Sequence, residues 1–171
     1  MYILLILFLS IIIFYIRNKD KKINISDDSK IIFLIIKEKI KDLIKYCLLL
    51  NDINYINYIK NINEKIDYIN IYENNMNNTN TSYTINKGDE MILCIRSKND
   101  YKLHNLNDLL YIVIHEFAHI GCPEIGHTEL FYKINRYLLE RAIEIKVYKY
   151  EDYNNKPREY CGVQLNNTII K

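Results

Sequence analysis

The sequence has no tryptophan, only two prolines and four glycines, and four cysteines in 171 residues. Cys47, Cys94, Cys122 and Cys161 lie far apart and form no CxxC pair, which argues against a zinc ribbon and a dense disulfide framework. Isolated thiols of this kind read as buried small hydrophobes rather than bridges, and that favours a reducing compartment. Charge of one sign is lacking too. Lys and Arg number 23 against 21 Asp and Glu, a formal net charge of +2, so there is no electrostatic case for nucleic acid as the main partner. What fills the chain instead is Ile, Asn, Lys and Tyr, the last numbering 16, the bias an AT-rich coding sequence imposes. The N-x-S/T matches at Asn24, Asn77, Asn80 and Asn166 arise from that bias and carry no weight as glycosylation sites. The length suits one domain with a sizeable core.

Charge is absent altogether from residues 1–16, MYILLILFLSIIIFYI, and Arg17, Lys19, Lys21 and Lys22 follow at once. Sixteen helical residues rise about 24 Å, a little short of a ~30 Å hydrocarbon core, and snorkelling of Arg17 and Lys19 makes up the difference. No basic residue precedes the run and no small-residue cleavage site closes it, which argues against a cleaved signal peptide. A buried core helix would be expected to show a polar face, which the run lacks. The expected plan is a transmembrane anchor over 1–17, a polar linker over 18–29 and a folded domain over 30–171. The positive cluster on the C-terminal side predicts a single-pass protein with its domain on the cytoplasmic side.

Within the domain, Asp27, Asp28 and Ser29 offer helix-capping chemistry before an amphipathic helix over about 30–50. Its stripe is Ile32, Phe33, Ile36, Ile40, Leu43, Ile44 and Cys47. A second helix is expected from about 52 to 70, with Ile53, Ile56, Ile59, Ile62, Ile66 and Ile69 at spacings of three and four. Residues 73–82 read as a loop. Residues 83–86 and 91–96 read as the two strands of a hairpin turning through Lys87, Gly88, Asp89 and Glu90. A further helix starts at Thr128 as cap and carries Leu130, Ile134, Leu138, Ala142 and Ile145, while the tail from Val147 shows no clear period.

Between the hairpin and that last helix lies the stretch the chemistry depends on, residues 108–121, DLLYIVIHEFAHIG. As a helix it stacks His115 and His119 on one face, four residues apart, with Glu116 about 100° to the side. That pattern is a zinc site with a built-in general base. Gly121 is expected to cap the helix and Pro123 to stop it. Two imidazoles leave Zn²⁺ short of a third protein ligand. His127 is the best candidate, because Gly121 and Gly126 allow the chain to reverse and return it over the His115/His119 face. Glu129, Glu140 and Glu144 on the next helix remain open as alternatives, with Cys122 and Glu124 behind them. His104, isolated upstream, reads as a loop histidine.

His115-Glu116-Phe117-Ala118-His119 followed by Gly126-His127-Thr128-Glu129-Leu130-Phe131 resembles the SprT-like and WLM metallopeptidases, which join HExxH to a downstream GH-x-x-x-F element. From about Tyr83 to Tyr160-Cys161-Gly162 the chain is more closely similar to small predicted metallopeptidases of large nucleocytoplasmic DNA viruses. The resemblance covers roughly the C-terminal half. It implies an α+β, minimal zincin-like fold in which helices pack on a small sheet whose edge strand flanks the metal cleft. It also implies one Zn²⁺ per chain on His115, His119 and His127, Glu116 as catalytic base, and a protein or peptide substrate. The gap from His119 to His127 is longer than in WLM proteins, and no basic DNA-binding extension is present. The competing expectation is a non-catalytic, zinc-stabilised membrane or virion structural protein using the same histidines.

Overall fold

In the computed structural model of this chain, residues 27–169 are described. The apolar run 1–16, the expected anchor over 1–17 and the linker before residue 27 lie outside them. The described residues form helices α1 (Asp27–Leu50), α2 (Ile56–Ile66), α3 (Leu106–Gly121) and α4 (Glu129–Glu144). Strands β1 (Asn70–Glu73), β2 (Tyr83–Ile85), β3 (Glu90–Leu93), β4 (Arg158–Tyr160) and β5 (Val163–Leu165) complete an α+β architecture. Among these residues no helix is long and apolar enough to cross a membrane.

Helix α1 buries Phe33, Ile36, Ile40, Leu43, Ile44 and Cys47, the stripe its periodicity predicts. Its expected capping residues Asp27 to Ser29 are already helical. Ser29 is buried and donates to Glu73 at 2.5 Å, a tertiary partner in place of a local capping bond. Helix α2 is shorter than its periodicity suggests. Asp52 bonds the amide of Asn54 through its side chain and that of Ile56 through its carbonyl, a turn that leaves Ile53 83% exposed. Beyond Ile66 the chain enters β1 instead of continuing as helix.

The sheet has the order β1-β3-β2, with β1 parallel and β2 antiparallel to β3. The β2–β3 hairpin matches expectation in place and pairing. The second strand, expected over 91–96, ends at Leu93, and Arg96 instead bridges Leu103. It is also the central strand, with Met91 and Leu93 fully buried. The edge beside α3 is therefore β2. Four helices and this sheet enclose one core, to which α3 contributes Leu109, Leu110, Val113, Ile114, Phe117 and Ala118.

The tail, which lacks a sequence period, is ordered by partners elsewhere. Strands β4 and β5 form a hairpin whose two turn residues, Cys161 and Gly162, have φ of 53° and 82°, the left-handed pair that suits the right-handed twist of hairpin strands. Cys161 is disulfide-bonded to Cys94, 67 residues earlier. This corrects the expectation of four isolated thiols and removes the argument for a reducing compartment drawn from it: the tail folds back over the end of β3 and brings the two together. Cys47 and Cys122 are free and buried, and burial pushes the Cys47 thiol up to about 12.

Candidate metal centre and catalytic cleft

Helix α3 begins two residues before its expected start because the side chain of Asn105 accepts from the amide of Asn107 at 2.8 Å, an N-cap bond. Asp108, in the first turn, is buried and receives the Tyr153 hydroxyl at 2.8 Å and the Arg158 guanidinium at 3.0 and 3.1 Å. A carboxylate there also complements the positive end of the helix dipole. The tail thus clamps the start of α3.

The other end departs from expectation. Gly121 is the last helical residue, and the cap is Cys122, extended at φ −75° and ψ 125°, its amide bonded to Ala118. What requires a glycine at 121 is close approach. A Cβ there would lie 2.9 Å from Cδ1 of Ile62 and 3.0 Å from the carbonyl oxygen of Tyr58, both on α2. The carbonyls at the helix end are collected by Lys87, whose Nζ donates to those of His119, Cys122 and Glu124 at 3.1, 2.7 and 2.6 Å. A cation at the negative end of the dipole is favourable, and this one fixes the path of the connecting loop. Gly126, at φ 84°, completes the turn into His127. Thr128 then caps α4 by accepting from the amide of Phe131.

The loop sets the His127 imidazole against the other two. Its Nε2 lies 3.0 Å from Nε2 of His115 and 3.2 Å from Nε2 of His119. Among the described residues these three form the group of His, Cys, Asp or Glu side chains able to hold a metal ion together. Phe131 stacks on His119 at 4.1 Å and meets His115 and His127 edge-on at 4.9 Å each. Asn135, one turn further along α4 and fully buried, places Nδ2 3.4 Å from Nδ1 of His115.

The alternative ligands lie elsewhere. Glu129 pairs with Lys133 at 2.7 Å, and Glu140 and Glu144 lie beside Arg141. Cys122 is buried and Glu124 exposed, outside the histidine group. His104 accepts from the amide of Cys161 at 3.2 Å and packs on Tyr160, a tie between tail and core.

Burial, reinforced by the neighbouring His119 and His127, lowers the pKa of His115 to about 3. Burial, His127 and Lys87 bring His119 to about 4. Both rings are therefore neutral near pH 7, the state in which imidazole nitrogens bind metal. Glu116 is buried, and burial raises its carboxyl to about 7 against the opposing bond from Thr84. The Thr84 hydroxyl donates to Oε2 at 2.8 Å.

These groups line a cleft of about 610 Å³ walled by β2, α3, the loop before α4 and the β4–β5 hairpin. Ile112, Val163 and Leu165 give it apolar surface. Tyr160 also lines it, its hydroxyl 2.5 Å from Oγ of Ser82, which accepts from the amide of Cys94. Thr84, Lys87, Asn135 and Tyr160 have no place in the site as read from sequence. Each comes from an element distant from HExxH in the chain, and no local spacing links them to it.

No family model matches the sequence. The chain is 40% identical over 117 residues to uncharacterized protein R325 of Acanthamoeba polyphaga mimivirus, covering 68% of this chain and 59% of that one. It is 35% identical over 116 residues to uncharacterized protein 042R of Invertebrate iridescent virus 3, covering 67% and 60%. It is 37% identical over 84 residues to uncharacterized protein 136R of Invertebrate iridescent virus 6, covering 47% and 44%. The chain thus spans about three fifths, or less, of the length of these curated relatives. Among solved structures, the crystal structure of Wss1 from Saccharomyces cerevisiae aligns with 56% of this chain and 84% of its own, at 22% identity and a TM-score of 0.41. That score is too low to assign function or fold.

Proposed function

We propose that this chain is a zinc-dependent metallopeptidase, held at a membrane through residues 1–16 with its domain on the cytoplasmic side, that hydrolyses peptide bonds in a protein or peptide substrate. One observation carries the reading: Nε2 of His127 lies 3.0 and 3.2 Å from its two partners, with the buried Glu116 in the same cleft. Nitrogens bound to a tetrahedral zinc at 2.0–2.1 Å are about 3.3 Å apart, so the spacing of the three imidazoles fits the ion. His115, His119 and His127 are its protein ligands, one short of four, as in catalytic rather than structural zinc sites.

Zinc bound there supplies Lewis acidity toward a water and a scissile carbonyl. The remaining work belongs to the chain. Glu116 takes the proton of the attacking water and passes it to the leaving amine, and a pKa raised to about 7 suits both transfers. Thr84 fixes one carboxylate oxygen and leaves Oε1 for the proton. The edge strand β2 accepts an extended substrate by strand addition, and the apolar walls at Ile112, Val163 and Leu165 accommodate apolar side chains.

A zinc-stabilised structural protein of a membrane or virion would use the same histidines and leave Glu116 without work. Burying a carboxyl beside the ligands is costly, and catalysis gives that cost a use. The test is zinc content and peptide cleavage by the full-length protein and two variants. Glu116→Gln is expected to keep stoichiometric zinc and lose cleavage by about 10²–10⁴-fold, and His127→Ala to lose the zinc. A Glu116→Gln protein that cleaves at the parent rate overturns the mechanism. Protease protection of the membrane-inserted protein tests the cytoplasmic placement.

A further inference from the structure

Asn135 is fully buried in α4, behind the histidine cluster as seen from the cleft. Its Nδ2 lies 3.4 Å from Nδ1 of His115, while its Oδ1, equally buried, has no hydrogen-bond partner among the described residues. A buried amide oxygen without a donor is destabilising. In that orientation the amide also donates to Nδ1, which demands the proton on Nε2, the atom turned toward His127. Rotating the amide by a half-turn exchanges two atoms of nearly identical shape. Oδ1 then accepts from Nδ1–H of His115, so the orphaned oxygen is satisfied and Nε2 is left with a free lone pair. The exchange removes both anomalies and moves the amide nitrogen to the place the oxygen held.

We propose that Asn135 is a positioning residue that accepts from Nδ1–H of His115, fixing the ring's tautomer and its orientation toward the metal. The proposal rests on the reading of the three histidines as a zinc site. Metal-ligating imidazoles are commonly held in this way through their second nitrogen. Here the holder comes from the helix that follows His127, so the segment that delivers the third ligand also orients the first. Phe131, one turn earlier on the same face, stacks on His119, and α4 thereby contacts every imidazole of the cluster.

The experiment uses full-length protein and zinc as the probe, measuring zinc affinity by chelator competition for the parent, Asn135→Leu and Asn135→Asp. Leucine keeps the branched shape at greater bulk and cannot accept. Aspartate keeps an acceptor at the same place. Zinc affinity is expected to fall about 10–100-fold in Asn135→Leu and to be largely retained in Asn135→Asp. Equal affinity in parent and Asn135→Leu overturns the proposal, as does an equal loss in both variants. A parent that takes up no zinc overturns the metal reading itself, a different failure. A second readout needs neither a variant nor bound metal. The ring ¹⁵N spectrum of the metal-free parent, with only four histidines to resolve, is expected to show His115 protonated on Nδ1. Protonation on Nε2 overturns the proposal even if Asn135→Leu fails to fold.

Discussion

Thr84 on the edge strand donates its hydroxyl to Oε2 of Glu116 on α3, at 2.8 Å across 32 residues of sequence. That bond ties the sheet to the carboxyl proposed as the base, and it opposes the upward pull of burial on the Glu116 pKa. Removing it in Thr84→Val raises the pKa further above about 7. Because the base must be ionised to accept a proton, the acid limb of the pH–kcat/KM profile is expected to move to higher pH. Activity near neutrality falls about 2–6-fold, the larger figure corresponding to a titration that moves up by a full pH unit. An unchanged acid limb in an active, folded variant would show that the hydroxyl does not set the titration.

Gly121→Ala tests the close approach of α2 and α3. The added methyl would meet the Tyr58 carbonyl oxygen at 3.0 Å, a backbone atom that cannot rotate away. Overpacking of about 1–3 kcal/mol is expected to exceed the ~1 kcal/mol that alanine gains in helix propensity. The thermal midpoint should therefore fall by a few degrees. An alanine that stabilised the protein would mean that the two helices separate at little cost.

Reduction of the Cys94–Cys161 disulfide frees a loop closed across 67 residues. The chain-entropy treatment gives about 4 kcal/mol for a loop of this length. Thermal melts with and without reductant, alongside a Cys94→Ser/Cys161→Ser double variant, are expected to show the same loss. Midpoints insensitive to reductant would contradict the bridge.

Acid should destabilise the metal-free protein through two of its imidazoles. His115 and His119 are lowered from 6.5 to about 3 and about 4, so between those values and 6.5 the unfolded chain binds more protons than the folded one. Their contribution is complete above 6.5 and is lost as pH falls through the folded values. Glu116, raised from 4.5 to about 7, acts in the opposite sense: its burial costs least below 4.5 and most above 7. Urea midpoints of chelator-treated protein are expected to fall with pH across the imidazole window. The slope should flatten in a His115→Gln/His119→Gln variant, and an unaltered slope there would assign the acid sensitivity to other groups.

The parts legible in the sequence are those that neighbours in the chain determine. Four-residue spacing puts His115 and His119 on one face. The apolar stripe of α1 and the turn residues between β2 and β3 are equally local signals. His127 can be argued as a ligand because a stop, two glycines and a cap within a few residues force the chain to reverse. Gly121 reads as a cap in sequence, yet its constraint comes from Ile62 and Tyr58 on another helix, and the two kinds of glycine look the same in a string of residues. The four residues of β1 and the three of β4 are too short for a period and take their form from pairing partners. Cys94 and Cys161 carry no spacing signal at a separation of 67 residues. Lys87 sits in a turn that sequence reads correctly, yet its target is a helix end 32 to 37 residues away.

The segment between α3 and α4 leaves Ile125 89% exposed, an inviting place for a peptidase. Cys94 lies before that segment and Cys161 after it, so a single cut there divides His115 and His119 from His127 without parting the two pieces. Nicked protein would migrate as one species until thiol is added and as two afterwards. Zinc retention would then depend on redox state in the nicked form, whereas the uncut form keeps its ligands on one chain under either condition.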